Sequence, residues 1–333
     1  MFQINECESL ETLRKAPCFS LDDFYNYGHA KHVPRISENF LEWFIGFFEG
    51  DGYLGFRTVV TYDRLYFSIC QKEKFIIEKI AYTFGFGSVS SFKNKKNGPI
   101  YWRWSLDSKS SIESIAFLLS GNLILKSRQK QFLNWVEVGQ KKGMFKPPFN
   151  KNKPWLAQLS LNNAWLSGFI DAEGCFYANF QMSSLVLKKL NFQNQNSFNL
   201  NQFCELKPHL WQKMTLTQCT SPENLLVFKE ILNLFKSSSS IHCFKNKLKT
   251  NEYSKNQYIR IEFKCLKSQD LIVNYLSKYK LKTIKYISYR RWWRIYLRRK
   301  TKLHLSPQGI KRLYRLVKAV NLHKKEVYIK NYQ

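Results

Sequence analysis

Acidic residues are scarce in this sequence: 24 Asp and Glu stand against 53 Lys and Arg, a formal net charge of +29 over 333 residues. That deficit points to a polyanionic partner, nucleic acid first, with a basic organellar or ribosomal surface protein as the other use of the same charge. Metal-site cysteine spacing is missing too. The eight cysteines (Cys7, Cys18, Cys70, Cys175, Cys204, Cys219, Cys243 and Cys265) include no CxxC pair, and His29 and His32 have no cysteine partners nearby, which argues against structural zinc. Scattered thiols fit a reducing interior better than secretion. No stretch approaches the roughly 20 apolar residues of a membrane-spanning helix. The opening MFQINECESLETLRKAPCFS carries acids early and lacks an apolar signal core, so a soluble protein is expected. Neither half offers a strand followed by a glycine-rich phosphate loop, which excludes a dinucleotide-binding unit.

What is present is apolar bulk. The chain is 44% hydrophobic and 16% aromatic, and long enough for two domains or one duplicated one. Residues 1–37 read as an irregular or partly helical extension. Ser37 is placed to cap a helix over Glu38–Asp51, whose Phe40, Leu41, Phe44, Ile45, Phe47 and Phe48 demand burial. YLGFRTVV and RLYFSICQK read as strands, KEKFIIEKIAYTF as a helix, and GSVSSFKN and PIYWRWSLD as a second strand pair. Helices follow from Ser108 or Ser110 to about Leu119, and from near Ser127 to Lys141. After a Pro- and Lys-rich linker at 143–161 the order repeats. A helix from Asn162 or Asn163 to about Glu173 precedes strands at 174–180 and 210–218, a helix at 222–235, strands at 239–246 and 257–265, and a helix at 268–278. The two repeats cover 38–142 and 162–330, the second carrying an Asn/Gln-rich insertion near 182–208 and basic C-terminal helices.

The repeat is clearest in WFIGFFEGDG (43–52) and WLSGFIDAEG (165–174), where Trp43/Trp165, Gly46/Gly168, Asp51/Glu173 and Gly52/Gly174 all stand 122 positions apart. Gly46 and Gly50 share one helix face, as do Gly168 and Ala172, so two helix backbones can approach closely. Either motif alone also fits ordinary helix packing; recurrence favours a paired interface. Pairing brings Asp51 and Glu173 together at helix C-termini, where the dipole and each other's charge oppose them. A divalent cation would compensate, and magnesium suits carboxylate, water and phosphate oxygens. Gly52 and Gly174 are placed as C-terminal glycines that release the chain from each helix into a strand.

On these residues the sequence resembles the two-repeat LAGLIDADG homing endonucleases, with Phe44–Gly52 and Leu166–Gly174 as the two signature nonapeptides. The resemblance spans roughly 38–325 and implies an α/β (α+β) fold: two α-β-β-α-β-β-α repeats related by a pseudo-two-fold, forming a saddle with antiparallel DNA-binding sheets. It implies that Asp51 and Glu173 hold divalent metal, with Mg2+ expected, and that Glu49 and Asp171 support or cap the interface. It places Gln71 and Gln218 beside the active centres, and Lys126 with Arg128, and Lys282 with Lys285, as the basic residues following each repeat. It further implies cleavage of both strands across the minor groove, with a short 3′ overhang, at a long asymmetric site.

Strand alternation offers candidate base readers: Arg57, Arg64, Ser68, Arg103 and Trp104 in the first half, and Asn179, Gln181, Lys213, Thr215, His242, Arg260 and Glu262 in the second. Arg290, Arg294 and Arg298 share one face of the basic run YRRWWRIYLRRKTK and are expected to meet phosphates. Ser306 and Pro307 mark the start of a final helix. The expectation is a monomeric, magnesium-dependent nuclease for double-stranded DNA. The alternatives are a maturase that binds host intron RNA on the same scaffold, alone or bifunctionally, and a silent ribosomal or assembly protein. The resemblance and the Asn/Lys-rich composition suggest a mobile-intron origin in a mitochondrion, with a chloroplast as the alternative.

Overall fold

The computed structural model describes residues 19–59, 62–145, 147–181, 209–219, 222–247, 253–302 and 306–322. Residues 1–18 and the insertion expected at 182–208 lie outside these. Helix α1 (Glu38–Asp51) buries nine of its fourteen residues, as its nearly continuous apolar surface requires. Ser37 holds the N-cap position in extended backbone, but its hydroxyl makes no cap bond; its carbonyl accepts the Leu41 N–H at 3.1 Å. The chain then passes into β1 (Gly52–Val59) and on through β2 (Tyr62–Gln71), α2 (Lys74–Phe84), β3 (Ser88–Lys93), β4 (Ile100–Leu106), α3 (Lys109–Leu119) and α4 (Lys126–Lys141).

The second repeat follows the same plan: α5 (Trp165–Glu173), β5 (Gly174–Gln181), β6 (His209–Cys219), α6 (Leu225–Leu234), β7 (His242–Lys247), β8 (Tyr253–Phe263) and α7 (Leu266–Lys278), followed by α8 (Lys285–Lys300) and α9 (Pro307–Ala319). The two antiparallel sheets have matching orders, β1-β2-β4-β3 and β5-β6-β8-β7. At α5 the expected Asn162 or Asn163 start is displaced: the helix begins at Trp165, and Glu42 of α1 accepts the Ala164 N–H at 2.8 Å. The expected caps Ser108 and Ser306 do accept N–H bonds, from Ser111 and Gly309.

Alternation fixes two faces on each sheet. Leu65, Phe67 and Ile69 of β2 point inward and are fully buried; the Phe67 ring stacks on Phe48 of α1 at 5.2 Å. In the second sheet Phe176, Leu210, Gln212, Met214 and Leu216 point inward, and Tyr177, Asn179 and Trp211 stand exposed on the other face. Helix α8 covers the inner face: Trp292 packs on Phe176 at 5.5 Å, and its carbonyl accepts from Gln212 Nε2 at 2.7 Å. Helix α9 continues that layer, with Tyr314 stacked on Phe180.

The extension expected to end at 37 joins the first repeat from Phe19 onward. Phe19, Leu21, Phe24 and Ile36 are buried, and the Asn122 amide holds both backbone groups of Ser20 at 2.8 Å. Among the described residues no helix is long and apolar enough to cross a membrane.

Candidate active centre and nucleic-acid interface

The two signature helices meet backbone to backbone. A Cβ built on Gly46 would lie 1.9 Å from the Trp165 carbonyl oxygen, and one on Gly168 would lie 1.8 Å from that of Trp43. No side chain fits either position. Gly52 and Gly174 correct the expectation of a conformational role: both are extended, with φ of −80° and −77°, which any residue adopts. Space is their reason, since a Cβ at Gly52 would meet the Phe48 ring at 2.0 Å and one at Gly174 the Ile170 carbonyl oxygen at 2.5 Å.

Glu49 and Asp171 are buried caps, as the motif implied. Glu49 accepts the N–H groups of Ile124 (3.0 Å) and Leu125 (2.7 Å) and the indole N–H of Trp165 from the opposite helix. Asp171 mirrors it, accepting from Lys282 N–H at 2.6 Å, Thr283 Oγ1 at 2.6 Å and the Trp43 indole at 2.8 Å. Burial pushes both carboxyls up, Glu49 to about 7, against the pull of these donors.

Asp51 and Glu173, one residue before the strands, come together at the ends of α1 and α5. Burial raises the Glu173 carboxyl to about 8, reinforced by the Asp51 charge and opposed by Lys285 and Arg128. Asp51 is raised by burial and opposed first by Lys285. The same cations close the helix ends. Lys285 Nζ donates to the Ala172 carbonyl at 2.6 Å, and Arg128 donates to those of Glu49 at 2.9 Å and Gly50 at 3.2 Å. Gln71 Nε2 donates to Asp51 Oδ2 at 2.6 Å. Gln218 Nε2 donates to the Glu49 carbonyl at 3.2 Å, and the side chain lines a cavity of about 430 Å³ with Arg128 and Glu173.

Lys126 and Lys282 stand apart from this group. Lys126 Nζ reaches Gln129 at 3.2 Å from an exposed position, and Lys282 Nζ lies over the Phe40 and Trp43 rings. Two contributors were missed in the sequence. Glu73 accepts the Ile284 N–H at 2.7 Å, and burial holds its carboxyl up at about 7, with Asp171, Lys285 and Asp51 nearby in its field. Asn224 accepts the Ser127 N–H at 3.2 Å and donates to its hydroxyl at 2.8 Å. Each repeat thus caps the helix that carries the other's basic residue. An acid two positions after Gln71 in so basic a chain was the available signal for Glu73; Asn224 offered none.

The outward sheet faces flank the paired helix ends, because β1 and β5 leave those ends directly. Arg103 lies outward, its Nε on Cys70 Sγ at 3.4 Å and its guanidinium over Phe92. Arg260 donates to Thr217 at 2.9 Å and covers Phe244. Lys213 pairs with Glu262 at 2.6 Å, and Lys264 holds the other oxygen at 2.7 Å. Arg64, Asn179 and His242 are exposed. The exposure expected for four candidates fails, Glu262 among them, buried under the two lysines it pairs with. Ser68 is buried between its strand partners Tyr53 and Ser105, Thr215 is covered between Cys175 and Glu262, and Trp104 belongs to the core. Arg57 pairs with Arg64 through its strand; the side chains of Arg57 and Gln181 lie outside the described residues. Arg290, Arg294 and Arg298 stand on the side of α8 opposite Trp292 and Ile295, which face the sheet, so one helix layer separates them from the outward face.

Residues 166–296 match the family model described as LAGLIDADG endonuclease. The chain is similar to probable intron-encoded endonuclease 4 of Neurospora crassa, at 28% identity over 274 residues, covering 80% of this chain and 42% of that protein. It is also similar to probable intron-encoded endonuclease aI3 of Dictyostelium citrinum, at 27% over 161 residues, covering 43% of this chain and 66% of that protein. It therefore spans less than two thirds of either relative. Its fold is similar to that of I-SmaMI bound to uncleaved DNA target in the presence of calcium ions (TM-score 0.60, 16% identity, 87% of this chain and 100% of that one). It is likewise similar to the I-LtrWI LAGLIDADG homing endonuclease bound to target DNA (TM-score 0.58, 18% identity, 87% and 100%). With both signature helices paired and both sheets in one order, the chain has the fold of these two-repeat structures, and over residues 166–296 it is similar to the LAGLIDADG endonucleases.

Proposed function

We propose that the chain acts as a monomer on double-stranded DNA, hydrolysing one phosphodiester bond in each strand at a long asymmetric site with the help of divalent metal, magnesium by preference. The observation that carries this reading is the meeting of Asp51 and Glu173 at the ends of the paired helices, between two outward sheet faces. The donor set fits such an ion: two carboxylates, each of whose charge raises the other's affinity for a cation, are the oxygen ligands magnesium takes. Among the described residues no cluster of three His, Cys, Asp or Glu side chains forms a complete cage.

When bound, the ion would lower the pKa of a water molecule and offset charge on the scissile phosphate. The residues of the chain have separate tasks. Gln71 fixes the orientation of Asp51. Lys285 and Arg128 keep positive charge beside the acids while satisfying the last helix carbonyls. The outward ribbons would set register through backbone contacts and read base edges in the major groove. Different side chains on the two sheets support an asymmetric target.

Asp51→Asn and Glu173→Gln variants test the assignment. Each should retain DNA binding within a few-fold while cleavage drops by roughly two orders of magnitude or more. Undiminished cleavage by either variant with magnesium would overturn it.

A further inference from the structure

We propose that Glu73 and Asn224 are positioning residues for cleavage, each holding in place the basic side chain that the other repeat contributes, so that the two govern the cutting of different strands. The inference rests on the proposed metal-dependent cleavage and deepens it. Both side chains forgo their own helix. Glu73 stands at the N-cap position of α2 and Asn224 at that of α6, where a polar side chain ordinarily accepts a first-turn N–H, yet neither makes a cap bond there. Glu73 instead accepts the Ile284 N–H at 2.7 Å, and Asn224 the Ser127 N–H at 3.2 Å. Those two amides occupy equivalent places, one residue before Lys285 and one before Arg128. The acceptors are equivalent too. Ile76, Ile77 and Ile80 of α2 are buried at the same spacing from Glu73 as Val227, Phe228 and Ile231 of α6 are from Asn224. The pseudo-two-fold thus keeps the contact and changes its chemistry, with a carboxylate on one side and an amide on the other.

Neither α4 nor α8 is capped by its own N-cap side chain, Leu125 or Ile284. Each start is gripped from two sides instead. In the first repeat Glu49 takes the N–H groups of Ile124 and Leu125, and Asn224 that of Ser127. In the second, Asp171 takes those of Lys282 and Thr283, and Glu73 the next one, of Ile284. The signature helix of the same repeat fixes the loop; the other repeat fixes the turn that carries the basic residue. Lys285 is the foremost charge opposing the upward push of burial on Asp51, which Gln71 also holds. Arg128 and Ser127 line the cavity of about 430 Å³ with Glu173 and Gln218. Each centre therefore takes its acid, glutamine and tether from one repeat and its cation from the other: Asp51, Gln71 and Glu73 with Lys285, and Glu173, Gln218 and Asn224 with Arg128. The charge of Lys285 reaches Glu173 as well, so the effects on the two strands are unequal rather than exclusive. Removing a tether leaves every charge of the basic residues in place and changes only where they sit, and a displacement of about 1 Å at reacting groups costs on the order of 100-fold in rate.

The test uses the full chain and a duplex that it cuts with magnesium, the two strands carrying different fluorophores. Glu73→Ala should slow one strand about tenfold or more and the other less than about threefold, and Asn224→Ala should show the opposite preference. Duplex affinity without divalent metal should stay within about threefold for both. Glu73→Gln and Asn224→Asp keep an acceptor oxygen for the same N–H, and should return the slowed strand to within about threefold of the unaltered chain. Amide hydrogen exchange on the metal-free protein gives a readout separate from cutting. Glu73→Ala should speed exchange at residues 283–286 and leave 125–128 unchanged, with the reverse for Asn224→Ala. Where a melting curve shows an alanine variant unfolded, Glu73→Asp or Asn224→Ser, each with a shorter reach, takes its place with the same expected strand preference. Equal slowing of both strands, slowing of the same strand by both alanine variants, unchanged rates, or a conservative variant as slow as its alanine counterpart would overturn the proposal while leaving metal-dependent cutting in place. An unaltered chain that cuts no duplex with magnesium would overturn the reading beneath it, and the proposal with it.

Discussion

Asp51 and Glu173 each end a helix at the pole that repels negative charge, and the chain surrounds them with compensation: Lys285 and Arg128 on the carbonyls, and Gln71 on one carboxylate oxygen. The compensation is incomplete, and Glu173 is held up at about 8 from an ordinary 4.5 by burial and by Asp51, against Lys285 and Arg128. Between those values the unfolded chain has released this proton and the folded metal-free chain keeps it. Through this group, stability therefore falls as pH rises from about 4.5 to about 8. Glu173→Gln should remove that fall and raise the unfolding free energy of the metal-free protein near pH 8 by on the order of 2 kcal/mol, with little change near pH 5, as read by urea denaturation. Glu49 is also raised by burial, to about 7, but has three donors aimed at it. Glu49→Ala should cost about 3 kcal/mol by orphaning them, measured as a shift in the denaturation midpoint at unchanged slope. Both acid pairs were legible from repetition of the motif. Glu73 and Asn224 were not, because their partners lie 211 and 97 positions away and belong to the other repeat.

At the scale of elements, the α1–α5 contact carries the design. Gly46 and Gly168 admit the opposing carbonyl oxygen at distances that leave no room for a methyl group, so Gly168→Ala should force the helices apart. Thermal unfolding should show a loss of about 3 kcal/mol or more, and cleavage should fall with it as the acids separate. A Gly168→Ala variant as stable as its parent would show that the helices have slack. The small-residue face, the strand pairs and the caps at Ser108 and Ser306 follow from local pattern, and local pattern exposes them. Helix α5 shows where local reading fails. Its start is held by Asn163, whose Oδ1 accepts the Trp165 N–H at 3.3 Å, and by Glu42, which reaches across from α1 to the Ala164 N–H, and no periodicity in residues 160–165 encodes the bond borrowed from the neighbouring helix. Ser68 and Thr215 failed as exposed readers for a related reason: alternation gives the face of a strand but not what its neighbours cover.

At the scale of the molecule, two repeats with one strand order place two outward sheets on either side of a single pair of acids. The duplication made that architecture readable from one chain. Placement of the basic C-terminal run was not readable, because helical periodicity groups Arg290, Arg294 and Arg298 without saying which sheet face the helix covers; Trp292 decides it by packing on Phe176. The central claim is that the paired acids support metal-dependent cutting of a specific duplex. Its most direct test is selection of cleaved sites from a randomised duplex DNA library, run with magnesium, without it, and with the Asp51→Asn, Glu173→Gln double variant. The account predicts one long asymmetric site enriched with the unaltered chain and magnesium alone. Equal enrichment without magnesium or with the double variant, or no enriched site under any condition, would contradict it.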